Sequence, residues 1–470
     1  MLRLLVLLLV LPPAIVGQTY DIVIQNGRVI DPDSGLDEVR NVAIQGDKIA
    51  AVTSRPVTGR KTLDARGHVV APGFIDLHQH GQSPTNYRAQ VHDGVTTALE
   101  LEIGVENVSA WYDERTARTP VNYGASISHP YSRQIAMTGS NPGLEGEALT
   151  EEINPQQFEK LKAQIRQGLE QGAAAVGFGI AYTPGATQSE LNELFQLAAE
   201  FNASCHVHMR TSRTDFTNLD EVLEAAGVSG ASLHIVHINS SGRDRAPQYL
   251  DRIRQAQLDG IDVTTECYPY NRGSTLIQSH LFDDWESYPE SEFSQFIWVE
   301  TGEALTRETF GKYRKTGGTL IQPASYKEET VETLVGHPMT IIASDGMWID
   351  NGRAHPRTWG TFSRVLGRYV REMQALTIHE ALAKMTIRPA RRLEARIPAM
   401  RQKGRIRSGA DADIVVFDPE TVIDVATFSD PARNSKGFRH VLVNGVVTLE
   451  DGNFVENAAG GRPIRAEVTR

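Results

Sequence analysis

From residue 71 to residue 404 the chain alternates short apolar runs of strand length with longer stretches whose apolar positions recur at helical spacing. The strand-like runs lie at 73–80, 95–102, 122–129, 174–180, 203–208, 232–237, 262–268 and 339–345. Amphipathic segments fall between them, among them 156–171, 188–201, 219–227 and 245–259. Strand and helix in repeated alternation predict parallel strands joined by helical crossovers, and eight such units predict a TIM-type (β/α)8 barrel, class α/β. The flanks read differently. Residues 18–70 and 405–470 carry short runs in which apolar and polar residues alternate around Gly, Asp and Asn turns, the pattern of antiparallel strands. Together they predict one small β-sandwich domain built from both chain ends, with the barrel at 71–404 between them. The long interval 271–338 before the last strand predicts an insertion over the barrel mouth.

Three features outside this pattern change the picture. Residues 1–17 begin with Arg3 and an apolar run at 4–16, followed by small residues. That run is short for a bilayer span and has the shape of a signal peptide. It predicts export, periplasmic or secreted, with a mature chain starting near Gln18 and no membrane span. The net charge of −11 and the pI of about 5.7 argue against nucleic acid as a partner and leave a small-molecule substrate. The two cysteines, Cys205 and Cys267, sit in apolar runs and are expected as buried free thiols.

Candidate chemistry gathers at the strand ends, where barrel enzymes keep their active sites. The segment APGFIDLHQHG places His78 and His80 two apart, on one face of a strand, aimed at one point. Neutral imidazole is a common zinc ligand. VTTALELEIG puts Glu100 and Glu102 on one face as well, and a buried carboxylate needs a cation or strong donors. Glu102 lies nearer the strand end and is the preferred ligand, with Glu100 second, as ligand or as partner of a ligand histidine. SCHVHMR presents His206 and His208, HIVHINSSG ends in His237 with His234 on the opposite face, and IIASDG ends in Asp345. A carboxylate at that position can take a proton from a nucleophilic water and return it to a leaving nitrogen.

The motifs PGFIDLHQH, HDGVTTALE, VGFGIAYTPGATQSELNELFQLAAEF, HVHMR, IVHINSSGR, YPYNRGST, IIASDGM, HPRTWGTFSRVLGRYVRE, ALAKMTIRPARRL and KGRIRSGADADIVVFDP run over almost the whole chain. In these the chain resembles the amidohydrolase superfamily, and within it the D-aminoacylase (N-acyl-D-amino-acid deacylase) branch. The resemblance implies zinc, one or two ions, held by His78, His80, His208 and His237, with Asp345 as catalytic base. It also implies that Tyr270, or Tyr268 of the same YPY motif, polarises the scissile carbonyl, and that Arg357 holds a substrate carboxylate. Two positions depart from the branch. Its cysteine ligand falls opposite Ile103, so a glutamate must supply the anionic ligand from the second strand. Its lysine after the sixth-strand histidine is absent, with Asn239 in that area. A carboxylate can bridge two ions, which favours a two-metal centre. The expected activity is hydrolysis of carbon–nitrogen amide bonds, deacylating N-acyl amino acids or small peptides. The alternatives are a cyclic-amide hydrolase of dihydroorotase or hydantoinase type, an isoaspartyl-dipeptidase-like enzyme, and a non-catalytic scaffold of the same shape.

Overall fold

The computed structural model describes residues 19–116, 119–212 and 214–469. The expected signal peptide at 1–17 lies outside the described residues. Among those described, no helix is long and apolar enough to cross a membrane.

Eight parallel strands form the central sheet: β1 (Phe74–Asp76), β2 (Val95–Val105), β3 (Asn122–Ser128), β4 (Val176–Gly179), β5 (Cys205–His208), β6 (Leu233–Ile235), β7 (Val263–Cys267) and β8 (Thr340–Ile342). Their spatial order follows the sequence from β1 to β8. The ring closes where the segment after β8 meets the segment after β1. Gln79 and Gly346 form a parallel bridge there, the His80 amide donates to the Gly346 carbonyl at 2.8 Å, and the Ser344 amide donates to Asp76 Oδ1 at 3.0 Å. Helices cover the outside. The helix Pro155–Glu170 is started by an Asn154/Gln157 capping box and buries Leu161, Ile165 and Leu169, and Gln188–Glu200 is capped by Thr187. Most strands are shorter than the apolar runs suggested, because the polar residues at their C-terminal ends leave the ladder to line the mouth. Strand β2 is the exception and continues to Val105. One glycine is required by this packing: a Cβ at Gly177 on β4 would lie 2.4 Å from the Glu102 carbonyl oxygen, so its absence lets β2 and β4 close around the site.

The two chain ends build a second, nine-stranded sheet. Val69–Pro72 is its seam, pairing parallel with Thr19–Asp31 and antiparallel with Ile414–Phe417. The sheet encloses a core that includes Val29, Val42, Ile44, Val70, Ile414 and Leu442. The buried Asp413 ties it to the barrel, accepting from Asn122 Nδ2 at 2.9 Å and pairing with Lys403 at 2.7 Å. The last segment leaves this sheet and runs along the barrel: the Ile464 amide donates to the Tyr123 carbonyl and the Tyr112 hydroxyl to the Ile464 carbonyl, at 2.7 and 2.6 Å. Between β7 and β8 lies the insertion, a three-stranded antiparallel sheet (Ser274–Leu276, Ile297–Trp298, Thr319–Ile321) over its own core of Phe282, Phe293, Phe296, Trp298 and Phe310. Cys205 and Cys267 are buried and free.

Candidate active site

His78 and His80 follow β1 and point to the same spot, with their Nε2 atoms 3.2 Å apart. Each has its other ring nitrogen held by a carboxylate: His78 Nδ1 by Glu266 Oε1 at 2.6 Å, His80 Nδ1 by Glu100 Oε2 at 2.8 Å. A carboxylate accepts, so each Nδ1 carries the proton and each Nε2 turns a lone pair toward the other. Two buried lone pairs at this distance repel unless a cation stands beside both. Two carboxylates complete the spot. Glu102 Oε2 lies 3.3 Å from His80 Nε2 and 3.6 Å from His78 Nε2, and Asp345 Oδ1 lies 3.5 Å from each. This donor set, all imidazole and carboxylate, fits a zinc-class ion.

Glu102 also faces the other way. Its Oε1 lies 2.7 Å from His208 Nδ1, which is 3.1 Å from His237 Nε2. One buried carboxylate thus stands between two histidine pairs. His78, Glu102 and His237 also present ligand atoms within 4.8 Å of one another. His237 and Asp345 hold this arrangement on strained backbone, with φ of 30° and 50°. Both end barrel strands, where a sharp turn aims the side chain inward.

The electrostatics agree with a site built for cations. Burial pulls His78 and His80 down, but Asp345, Glu266, Glu102 and Glu100 outweigh it and lift both, His80 to about 10. Glu102 is held well below the usual carboxylate range, its burial outweighed by the histidines around it. Burial would raise Asp345, yet Arg357 and His78 hold it below its ordinary value.

Some expected residues stand elsewhere. Tyr270 is not at the site. Its amide donates to the Tyr268 carbonyl at 3.0 Å across Pro269, a tight turn that swings the ring away, and its hydroxyl donates to the Gly360 carbonyl at 3.0 Å. Tyr268 is the tyrosine on the cavity wall, and its buried hydroxyl lies beside Tyr326 and Ser240. Arg357 stands next to the cluster. It lies behind Asp345 with Nη2 2.9 Å from Oδ1 and over the Tyr268 ring at 4.5 Å. Its Nε and Nη1 are buried with no hydrogen-bond partner among the described residues. His129, just after β3, pairs with Glu190, and His206 with Ser204, its ring tilted against His234. None of these three histidines reaches the cluster.

Glu266 was not anticipated. It bridges His78 and His234, the latter at 3.0 Å. The alternation of Thr264, Glu266 and Tyr268 carried a parity signal for it. Asn239, where the branch has lysine, donates to the Tyr268 carbonyl and the Tyr326 hydroxyl.

A cavity of about 770 Å³ opens from His80, Glu102, His208, His237 and Asp345. The insertion walls its outer side with Leu281, Phe282, Tyr288 and Phe296. With Tyr268 as the hydroxyl donor, Tyr268→Phe should lower kcat by about 10²–10³-fold, the scale of losing one donor to a developing oxyanion. Tyr270→Phe should stay within a few-fold. Steady-state rates of the two variants separate the assignments.

Comparison with known proteins identifies the family. The model of the amidohydrolase family matches residues 297–449. An N-acyl-D-glutamate deacylase of Alcaligenes xylosoxydans xylosoxydans is 30% identical over 474 residues, covering 91% of this chain and 93% of that protein. A D-aminoacylase of the same organism is 27% identical, covering 94% and 97%. The crystal structure of N-acyl-D-glutamate deacylase from Bordetella bronchiseptica, complexed with zinc and a phosphonate mimic of the tetrahedral intermediate, superimposes with a TM-score of 0.81 at 26% identity, covering 96% of this chain and all of that one. Likeness of this extent to a relative at that identity places the protein in the amidohydrolase family, as a metal-dependent hydrolase.

Proposed function

We propose that the protein hydrolyses the amide bond of N-acyl-D-amino acids with zinc held between His78, His80, Asp345, Glu102, His208 and His237. The observation that carries this is the Glu102 carboxylate set between two histidine pairs, with Asp345 facing the first pair. The relatives named for D-configured acyl amino acids support the substrate class. When bound, zinc supplies Lewis acidity, which makes water a stronger acid and a carbonyl a better electrophile.

The chain supplies the rest. Asp345, kept ionised by Arg357, accepts the proton of the attacking water and passes it to the departing nitrogen. Tyr268 donates its hydroxyl to the carbonyl oxygen as negative charge builds there. Glu266 and Glu100 fix the histidine tautomers that leave Nε2 free to ligate. The substrate carboxylate faces the β6–β7 side of the cavity, where Arg243 and Ser240 lie on the wall. The apolar run at 4–16 behind Arg3 supports export as the setting of this activity.

The test is an assay of zinc-supplemented protein against matched N-acyl-D- and N-acyl-L-amino acids, dihydroorotate and hydantoins. Release of free D-amino acid, with the L series at least tenfold slower in kcat/KM, is the expected result. Turnover of the cyclic amides alone would overturn the proposal.

A further inference from the structure

A second cavity, of about 280 Å³, lies beside the first and meets it at His80, Ile103 and Trp348, which line both. Its remaining wall includes Val105, Trp111 and Tyr131. It opens where the branch carries its cysteine ligand and this chain has Ile103. Trp348 stands at the junction, 42% exposed, stacked on His80 with ring centroids 5.6 Å apart. Its loop begins at Asp345, so the indole is placed by the same turn that aims the carboxylate.

Two observations say what belongs there. The first is chemistry. The charged groups in the wall are largely engaged: Glu100 accepts from His80 Nδ1 and from the Gly104 amide, while Arg115 lies over Trp111 at 4.0 Å, bonds its carbonyl and pairs with Glu114, with its buried Nε unpartnered among the described residues. Gln82 and Ser83, also in the wall, bond Tyr87 and Asn86, so what the chamber mainly offers a ligand is aromatic and aliphatic surface. That surface continues into the main cavity, since Ile103, Leu144 and Tyr182 form one apolar cluster with Tyr131, Leu276 and Leu281 packed against it.

The second is position. Ile103 and Val105 belong to the end of β2, and Tyr131 to the helix His129–Thr138 after β3. Ser240 and Arg243 follow β6, and Tyr268 follows β7. In a ring of eight strands β2 and β6 are opposite, with the histidine cluster between them. A substrate whose carboxylate faces β6–β7 and whose amide lies at the cluster therefore extends its acyl group toward β2–β3.

We propose that this chamber is the acyl subsite, and that it takes an uncharged aryl or alkyl acyl group larger than acetyl. The inference rests on the deacylase reading above and specifies which of its substrates this chain selects. The experiment compares kcat/KM for the N-phenylacetyl and N-acetyl derivatives of one D-amino acid, using zinc-loaded enzyme. The wild type should favour phenylacetyl by about tenfold or more, the scale of filling an apolar pocket. Val105 lines the chamber but not the main cavity, so Val105→Trp should lower the phenylacetyl-to-acetyl ratio about tenfold. Val105→Phe, a smaller intrusion, should lower it in the same direction. A ratio unchanged in both variants, or a wild type that prefers acetyl, would overturn the subsite while leaving the deacylase standing. Hydrolysis of neither compound by the wild type would overturn both.

Discussion

Asp345→Asn should lower kcat by about two to four orders of magnitude, the usual contribution of a positioned general acid–base group. Asparagine keeps the shape and one oxygen, so the side chain still fits between Arg357 and the histidines. It cannot accept a proton. Four histidines and Glu102 remain to hold metal, so zinc content should stay near that of the wild type. The pair with Arg357, at 2.9 Å, loses its charge, which leaves a buried guanidinium without a counter-ion. A modest fall in thermal stability should therefore accompany the loss of rate. Elemental analysis beside steady-state kinetics gives the check. Near-normal turnover with metal bound would move the base to another residue.

Glu102→Gln should do the larger damage to metal binding. Both oxygens of Glu102 are committed, one toward His208 and one toward His78 and His80. A glutamine retains one oxygen and presents an amide NH₂ that cannot ligate, so one side of the bridge is lost whichever way it turns. Glu100 does different work: it holds His80 Nδ1 and does not meet the other ligand atoms. Glu100→Gln should cost about 10–100-fold in zinc affinity, as carboxylate partners of ligand histidines do. Glu102→Gln should cost more than that, together with most of the activity. Competition with a chelator measures both variants on one scale, and equal affinities in the two would contradict the separation of roles.

The closer approach of Glu102 to the histidine pairs was legible in the sequence, because residues 100 and 102 share a face of β2 and the later one lies nearer the strand's end. Strand parity also paired His78 with His80 and set His237 apart from His234, but it put His206 on the face of His208, and only nearness to the strand end favoured the latter. The barrel itself was legible from strand and helix alternation, since its strands are packed on both faces and read as apolar runs. Three things were not. At Pro269 the chain turns within three residues, so of the two tyrosines that the YPY motif offered for the carbonyl, the alternative Tyr268 faces the cavity and the first-named Tyr270 turns away. Glu266 carried a parity signal, but its partner His78 is 188 residues away, and one chain does not reveal such a pairing. Arg357, in HPR, was expected against a substrate carboxylate, and its added pairing with the protein's own Asp345 had no sign in the sequence. The side chamber was hidden for a related reason: its walls come from the segments after β1, β2, β3 and β8, and no local pattern announces a space between them.

The central claim is that amide hydrolysis depends on cations gathered at the Glu102 bridge. Titrating zinc into chelator-stripped enzyme, while following bound metal and hydrolysis of an N-acyl-D-amino acid together, tests it most directly. The account predicts negligible turnover in the stripped protein, recovery in step with zinc uptake, and saturation near about two ions per chain, with at least one ion lost in Glu102→Gln. Undiminished hydrolysis by fully stripped protein would contradict it.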